Sequence, residues 1–154
     1  MFVRRTAAFS PCRLYRYTLD IVWDDTKPLA AFIGLNPSTA DEVKDDPTVR
    51  RCRGFAEQWG CGGMRMLNIF AYRATLPADM RAVEDPVGSE NDLQILLIGC
   101  TGPHVACWGI HGKHLGRGAA VRQNLSGLQC LGRTANGSPK HPLYLPGATQ
   151  LEPL

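Results

Sequence analysis

Leu29-Ala30-Ala31-Phe32-Ile33-Gly34-Leu35-Asn36-Pro37-Ser38 is an apolar run that stops at a turn. The stretch 29–35 carries no charge and no polar alternation, which fits a strand buried on both faces at the centre of a parallel sheet. Asn36-Pro37 ends it, since both residues favour turns and proline cannot extend the ladder. Three more segments close an apolar run on a polar landmark: Met66-Leu67-Asn68-Ile69-Phe70, Ala106-Cys107-Trp108-Gly109 and Lys140-His141-Pro142-Leu143. In an open α/β sheet the carboxyl ends of the strands meet at one crevice, so these landmarks are candidates for one shared ligand.

The segments around this strand alternate in type. Residues 13–23 are rich in aromatic and β-branched side chains and lead into Asp24-Asp25-Thr26-Lys27-Pro28, so the pattern predicts a hairpin between 13–23 and 29–35. Asp46-Pro47 is a helix start, and Val49, Cys52, Ala56 and Trp59 recur at helical spacing until Gly60-Cys61-Gly62-Gly63. Residues 64–70 read as the next buried strand and 71–88 as an irregular connection. Ser89 and Asp92 resemble a capping box ahead of a helix with Leu93, Leu96 and Leu97 as its buried stripe. Residues 104–108 predict a third core strand, 115–125 a helix burying Leu115, Gly118, Val121 and Leu125, and 128–131 a short fourth strand. A loop over 132–142 then carries His141. Strands alternating with helices imply a three-layer α/β/α sandwich with a short, mostly parallel sheet.

A chain of 154 residues is ordinary for one compact domain, and the expectation is a single domain over 1–154. The net charge of +3 favours no polyanion partner by itself. The six cysteines are dispersed, without a Cys-x-x-Cys pair, and several sit in apolar runs, so free, packed thiols and a cytoplasmic location are expected. No apolar stretch approaches the roughly 20 residues of a membrane span. No metal or other cofactor is expected. Cys107, His111 and His114, with His104 folding back, are the one alternative set of metal ligands.

In order and spacing the four motifs resemble the uracil-DNA glycosylase superfamily. That family has a Gly-x-Asp/Asn-Pro loop after its first core strand, an Asn ending a later strand, a Trp-Gly strand end and a His-Pro-x-x-Leu loop. The matching residues here are Gly34 to Pro37, Asn68, Trp108-Gly109, and His141-Pro142 with Leu145. The whole sequence also resembles a bacterial and phage family known only as a domain of unknown function, through Leu35-Asn36-Pro37-Ser38 and His141-Pro142-Leu143.

The first resemblance implies a uracil-DNA-glycosylase-like fold and the hydrolytic removal of a pyrimidine, damaged or modified, from DNA. Asn36 and His141 would be catalytic, the first orienting water and the second stabilising the departing base. An amide cannot take the proton of that water, and the most active branch of the superfamily has an aspartate there. Asn68 would read the base edge, with Gly34, Leu35, Pro37, Ser38, Trp108, Gly109 and Pro142 lining the pocket. Arg73, Lys113, Arg117 and Lys140 are candidate DNA contacts, and Leu145 would fill the gap left by a flipped base. Arg50, Arg51 and Arg53 on the first helix offer a second place for phosphate. Two alternatives use the same pocket: recognition of a base or nucleotide without cleavage, and hydrolysis of free nucleosides or nucleotides. The partner is thus DNA or a nucleotide, with oligomeric state left open.

Overall fold

The computed structural model describes residues 4–154. Its strands are β1 (Arg4–Phe9), β2 (Arg16–Val22), β3 (Leu29–Gly34), β4 (Gly63–Asn68), β5 (His104–Ala106), β6 (Gln129–Cys130) and β7 (Glu152–Pro153). They form one sheet in the order β1-β2-β4-β3-β5-β6-β7. The inner strands β4, β3, β5 and β6 are parallel, while β1 and β2 on one side and β7 on the other run antiparallel to their neighbours. The α/β class is as expected. The sheet is mixed rather than mostly parallel, because β2 pairs antiparallel with β4 and two strands that were not expected, β1 and β7, add antiparallel edges.

The expected hairpin is not formed. β4 lies between β2 and β3, and β2 pairs instead with β1 and β4. The turn at 24–28 is real: Asp24 accepts from the Thr26 N–H at 3.0 Å, and the Trp23 and Asp24 N–H groups both bond to the Gly62 carbonyl at 2.9 Å. It therefore directs the chain past the start of β4 before β3 begins.

Helix α1 (Pro47–Gln58) starts where expected. The Asp46 carboxylate accepts the Val49 N–H at 2.9 Å, and Pro47 occupies the first turn, where no donor is needed. It buries Val49, Cys52, Phe55 and Ala56 against one face of the sheet, with Leu19, Phe32 and Met66. The opposite face carries Ile33, Leu67 and Ala106 and is covered by α3 (Asn91–Leu96) and α4 (Arg117–Asn124), through Ile95 and Val121. A short helix, α2 (Pro77–Arg81), lies inside the connection expected to be irregular and buries Met80.

Helix α3 faces inward on a different side from the one predicted. Leu93, Leu96 and Leu97 are more than half exposed, whereas Asn91, Ile95 and Ile98 are buried. Asn91 decides this rotation: its Nδ2 donates to the Asn68 carbonyl at 2.8 Å and to that of Ile69 at 3.2 Å. Positions i, i+4 and i+7 from Asn91 then turn inward. Ser89 makes no cap, and Glu90 stands at the N-cap position without a side-chain bond. Leu115 also departs from expectation. It sits at φ 55 in a broken 3-10 segment, Ile110–Gly116, ahead of α4, and is exposed, while Gly118 and Val121 are buried as expected.

Candidate nucleobase-type crevice

The connection leaving β3 crosses one face of the sheet through α1, and that leaving β5 crosses the other through α4. Adjacent parallel strands whose connections diverge leave a crevice between their carboxyl ends. A pocket of about 440 Å³ lies there, lined by Leu35, Asn36, Ser38, Trp108, Gly109 and His141 among others. Sharing its inner wall is a recess of about 40 Å³, faced by Arg16, Asn36, Asp46, Asn68 and His141. Three of the polar landmarks read from sequence thus share one small volume.

Register brings the first two together. Gly34 ends β3 directly opposite Asn68 at the end of β4. A Cβ at Gly34 would stand 2.9 Å from the Asn68 Oδ1, so any larger residue forces that amide to shift. Asn68 is 3% exposed, and its Nδ2 is buried with no partner among the described residues. A buried amide with an unused donor is costly unless a ligand or solvent meets it.

Asn36 is oriented by its backbone surroundings. Its Nδ2 donates to the Pro37 carbonyl at 3.0 Å and to the Ala74 carbonyl at 2.8 Å. With the amide nitrogen committed twice, what the side chain has left to offer is the acceptor Oδ1. An acceptor of this kind orients water by taking a hydrogen bond, and it has no proton affinity for general-base work.

His141 enters from the C-terminal loop, which is tied to the strand end at Gly109. The Gly109 N–H donates to the Pro139 carbonyl at 2.8 Å, and a Cβ at Gly109 would lie 3.5 Å from that of His141. The His141 Nδ1 accepts the Leu143 N–H at 3.2 Å, which leaves the proton of the neutral ring on Nε2. Burial pulls the imidazole pKa below its ordinary value, with the Asp46 carboxylate opposing the shift. The ring at neutral pH is therefore an uncharged Nε2–H donor.

Two site residues were not picked out by sequence. Arg16 is 2% exposed, and among the described residues its guanidinium donates only to the Ala40 carbonyl, at 2.8 Å, with Nε unpartnered. Burial lowers its pKa to about 10, again opposed by Asp46, so it stays cationic at neutral pH. An arginine at the start of a strand whose other residues are apolar except for Thr18 and Asp20 was the available signal. Asp46 was read only as a helix cap, yet it lines both the pocket and the recess. Its carboxylate also receives the Ala40 N–H at 3.4 Å.

The remaining expectations divide. Leu35, Ser38, Trp108 and Gly109 line the pocket, and Pro37 and Gly34 line the recess. Trp108 is a packed wall, its ring against Gly112 and Gly118, where a Cβ would approach within 2.1 and 2.8 Å. Pro142 is buried beside His141 rather than lining either cavity. Arg117 is not a surface contact. Its Nε donates to the Ile69 carbonyl at 2.7 Å, it pairs with Asp92, and its side chain is 11% exposed. Leu145 packs partly buried against the α1 face of the core, while Tyr144 before it is 94% exposed.

Lys140 is exposed, and Lys113 lies beyond Trp108 in a second pocket of about 580 Å³. Arg73 borders a shallow groove on the far side of Ser38 and Thr75, its guanidinium over Phe9. On α1, Arg50 is exposed, while Arg51 lies over Phe55 and Arg53 pairs with Glu57 at 3.0 Å. Cys107 is in the core on the α1 face, His111 bonds Arg81, and His114 packs on Phe70; these do not converge, and no set of metal ligands forms among the described residues. Five of the cysteines are buried and all six are free thiols. No helix of the described residues is long and apolar enough to cross a membrane.

Residues 16–143 match the model of a family described as "Protein of unknown function (DUF1643)". No curated protein and no solved structure gives a match.

Proposed function

Since the chain belongs to the DUF1643 family, whose description prescribes no activity, we propose from the crevice itself that the protein binds a nucleobase there and hydrolyses its N-glycosidic bond in DNA. The observation that carries this reading is the meeting of Asn36, Asn68 and His141 on one recess. A base edge needs a buried amide to read it, which Asn68 supplies with its unused donor. Cleavage of the bond between C1′ and the base nitrogen leaves an anionic base and a cationic sugar. The Nε2–H of His141 meets the anion and the Asp46 carboxylate offsets the cation. Water held by Asn36 Oδ1 attacks C1′ and its proton passes to solvent, which predicts slow turnover. The motif order shared with uracil-DNA glycosylases supports the same assignment, as does the three-layer α/β frame.

A second reading is hydrolysis of free nucleosides or nucleotides. It is favoured by Arg117 and Leu145, two expected DNA contacts that pack at least partly against the rest of the fold. The deciding experiment is a base-release assay on single- and double-stranded oligonucleotides carrying uracil, hydroxymethyluracil, mismatched thymine or hypoxanthine, run beside the free nucleosides. Release from oligonucleotides that is lost in His141→Ala and Asn68→Ala is the expected result. Release from nucleosides alone would establish the second reading. No release from either, with retained base binding, would leave recognition without cleavage.

A further inference from the structure

The pocket holds one more donor than the reading of a plain uracil edge uses. Asn68 suffices for one carbonyl and its neighbouring ring N–H. Arg16 lines the same recess, its buried Nε–H has no partner, and no carboxylate lies within ion-pair distance of it among the described residues. The Asp46 oxygens receive the Val49 and Ala40 N–H groups instead. A guanidinium taken out of water without an anionic partner is expensive, and its planar fork is suited to two acceptors side by side.

We infer that Arg16 is a specificity-determining residue, and that the ligand of the recess is a base carrying an acceptor next to its ring carbonyl. The inference rests on the nucleobase reading and names its substrate class. Two chemistries supply such an acceptor: the N7 beside O6 of a 6-oxopurine, which arginine reads in nucleic acids, and an oxygenated substituent at C5 beside O4 of a pyrimidine. Uracil and thymine lack it. Arg16 remains cationic at neutral pH, so it also favours a base that leaves as an anion. The recess, at about 40 Å³, has room for one small group and no more, so the rest of the base lies in the larger pocket beyond.

The test is calorimetric titration of the whole chain with two pairs of free bases: hypoxanthine against 7-deazahypoxanthine, and 5-formyluracil against uracil. Each pair differs in the one acceptor. In wild type, one pair is expected to show at least about tenfold tighter binding of the acceptor-bearing member, and that pair identifies the source. Arg16→Met is expected to abolish the preference and Arg16→Lys to weaken it, with thermal melts reporting the fold. The wild-type comparison stands even if Arg16→Met fails to fold. Equal affinities within both pairs, or a preference that survives in folded Arg16→Met, would overturn the inference and leave the nucleobase reading in place. Failure of all four bases to bind would overturn both.

Discussion

Gly34→Ala separates what holds the fold from what forms the site. Gly34 has an ordinary backbone conformation, so alanine gains about 0.4–1 kcal/mol by restricting the unfolded chain. Against that gain, the new Cβ meets Asn68 Oδ1 at 2.9 Å, and the nearest backbone atom, the Leu67 carbonyl oxygen, at a comfortable 3.9 Å. The collision is therefore with one side chain, and overpacking of that kind costs about 1–3 kcal/mol. The net loss is about 0–2.5 kcal/mol, which for a domain of this size lowers the Tm by roughly 0–10 °C. The amide of Asn68 must turn away, leaving the base contacts proposed for it unmade at about 1–3 kcal/mol, or roughly fivefold to over a hundredfold in affinity. Melting by circular dichroism and titration with the best-binding base measure both quantities on one sample. A folded variant with wild-type affinity would refute the placement of Asn68 as the base reader. Loss of folding would show that Gly34 serves the sheet and not the pocket.

Burial depresses the His141 pKa, so the neutral ring is favoured in the folded state. The associated stability is full above the ordinary histidine value near 6.5 and is lost as pH falls through the lower folded value. His111, also depressed by burial, adds in the same direction. Wild type should therefore melt progressively lower from about pH 7 to pH 5, and His141→Gln should flatten part of that slope; parallel profiles would contradict the buried, Nε2-protonated ring. Arg117→Ala should lower stability by about 1–3 kcal/mol through the lost bond to the Ile69 carbonyl, without changing the salt dependence of any DNA binding. A reduced salt slope would return Arg117 to the interface. Ile95→Ala should cost about 2–5 kcal/mol in denaturant unfolding, and Leu93→Lys within about 0.5 kcal/mol, the reverse of what the leucine stripe predicts.

Local signals were legible wherever one segment settles its own structure. The uninterrupted apolar runs of β3 and β4, the Asp46-Pro47 start of α1 and the glycines after it all stand where the sequence places them. The leucines at 93, 96 and 97 misled because three apolar residues at helical spacing do not reveal which face is covered. That was decided by Asn91, whose amide bonds carbonyls more than twenty residues earlier in the chain. Arg117 and Leu145 were misplaced for the same reason: whether a cation or a leucine faces water depends on what lies against it.

The sequence alone determined the α/β class, the strand ends that carry Asn36, Asn68 and Trp108-Gly109, the loop that carries His141, and the prospect that they share a ligand. These follow from short-range chemistry, since a run of apolar residues and the turn that stops it are both written within about ten positions. The order of the sheet, the insertion of β4 between β2 and β3, and the presence of Arg16 and Asp46 in the recess were decided only in three dimensions. Arg16 is twenty residues from Asn36 and far from His141 along the chain, and its burial depends on strand pairing that no local pattern encodes. What the recess can bind is set by that non-local choice, because it fixes which donors are left without a partner.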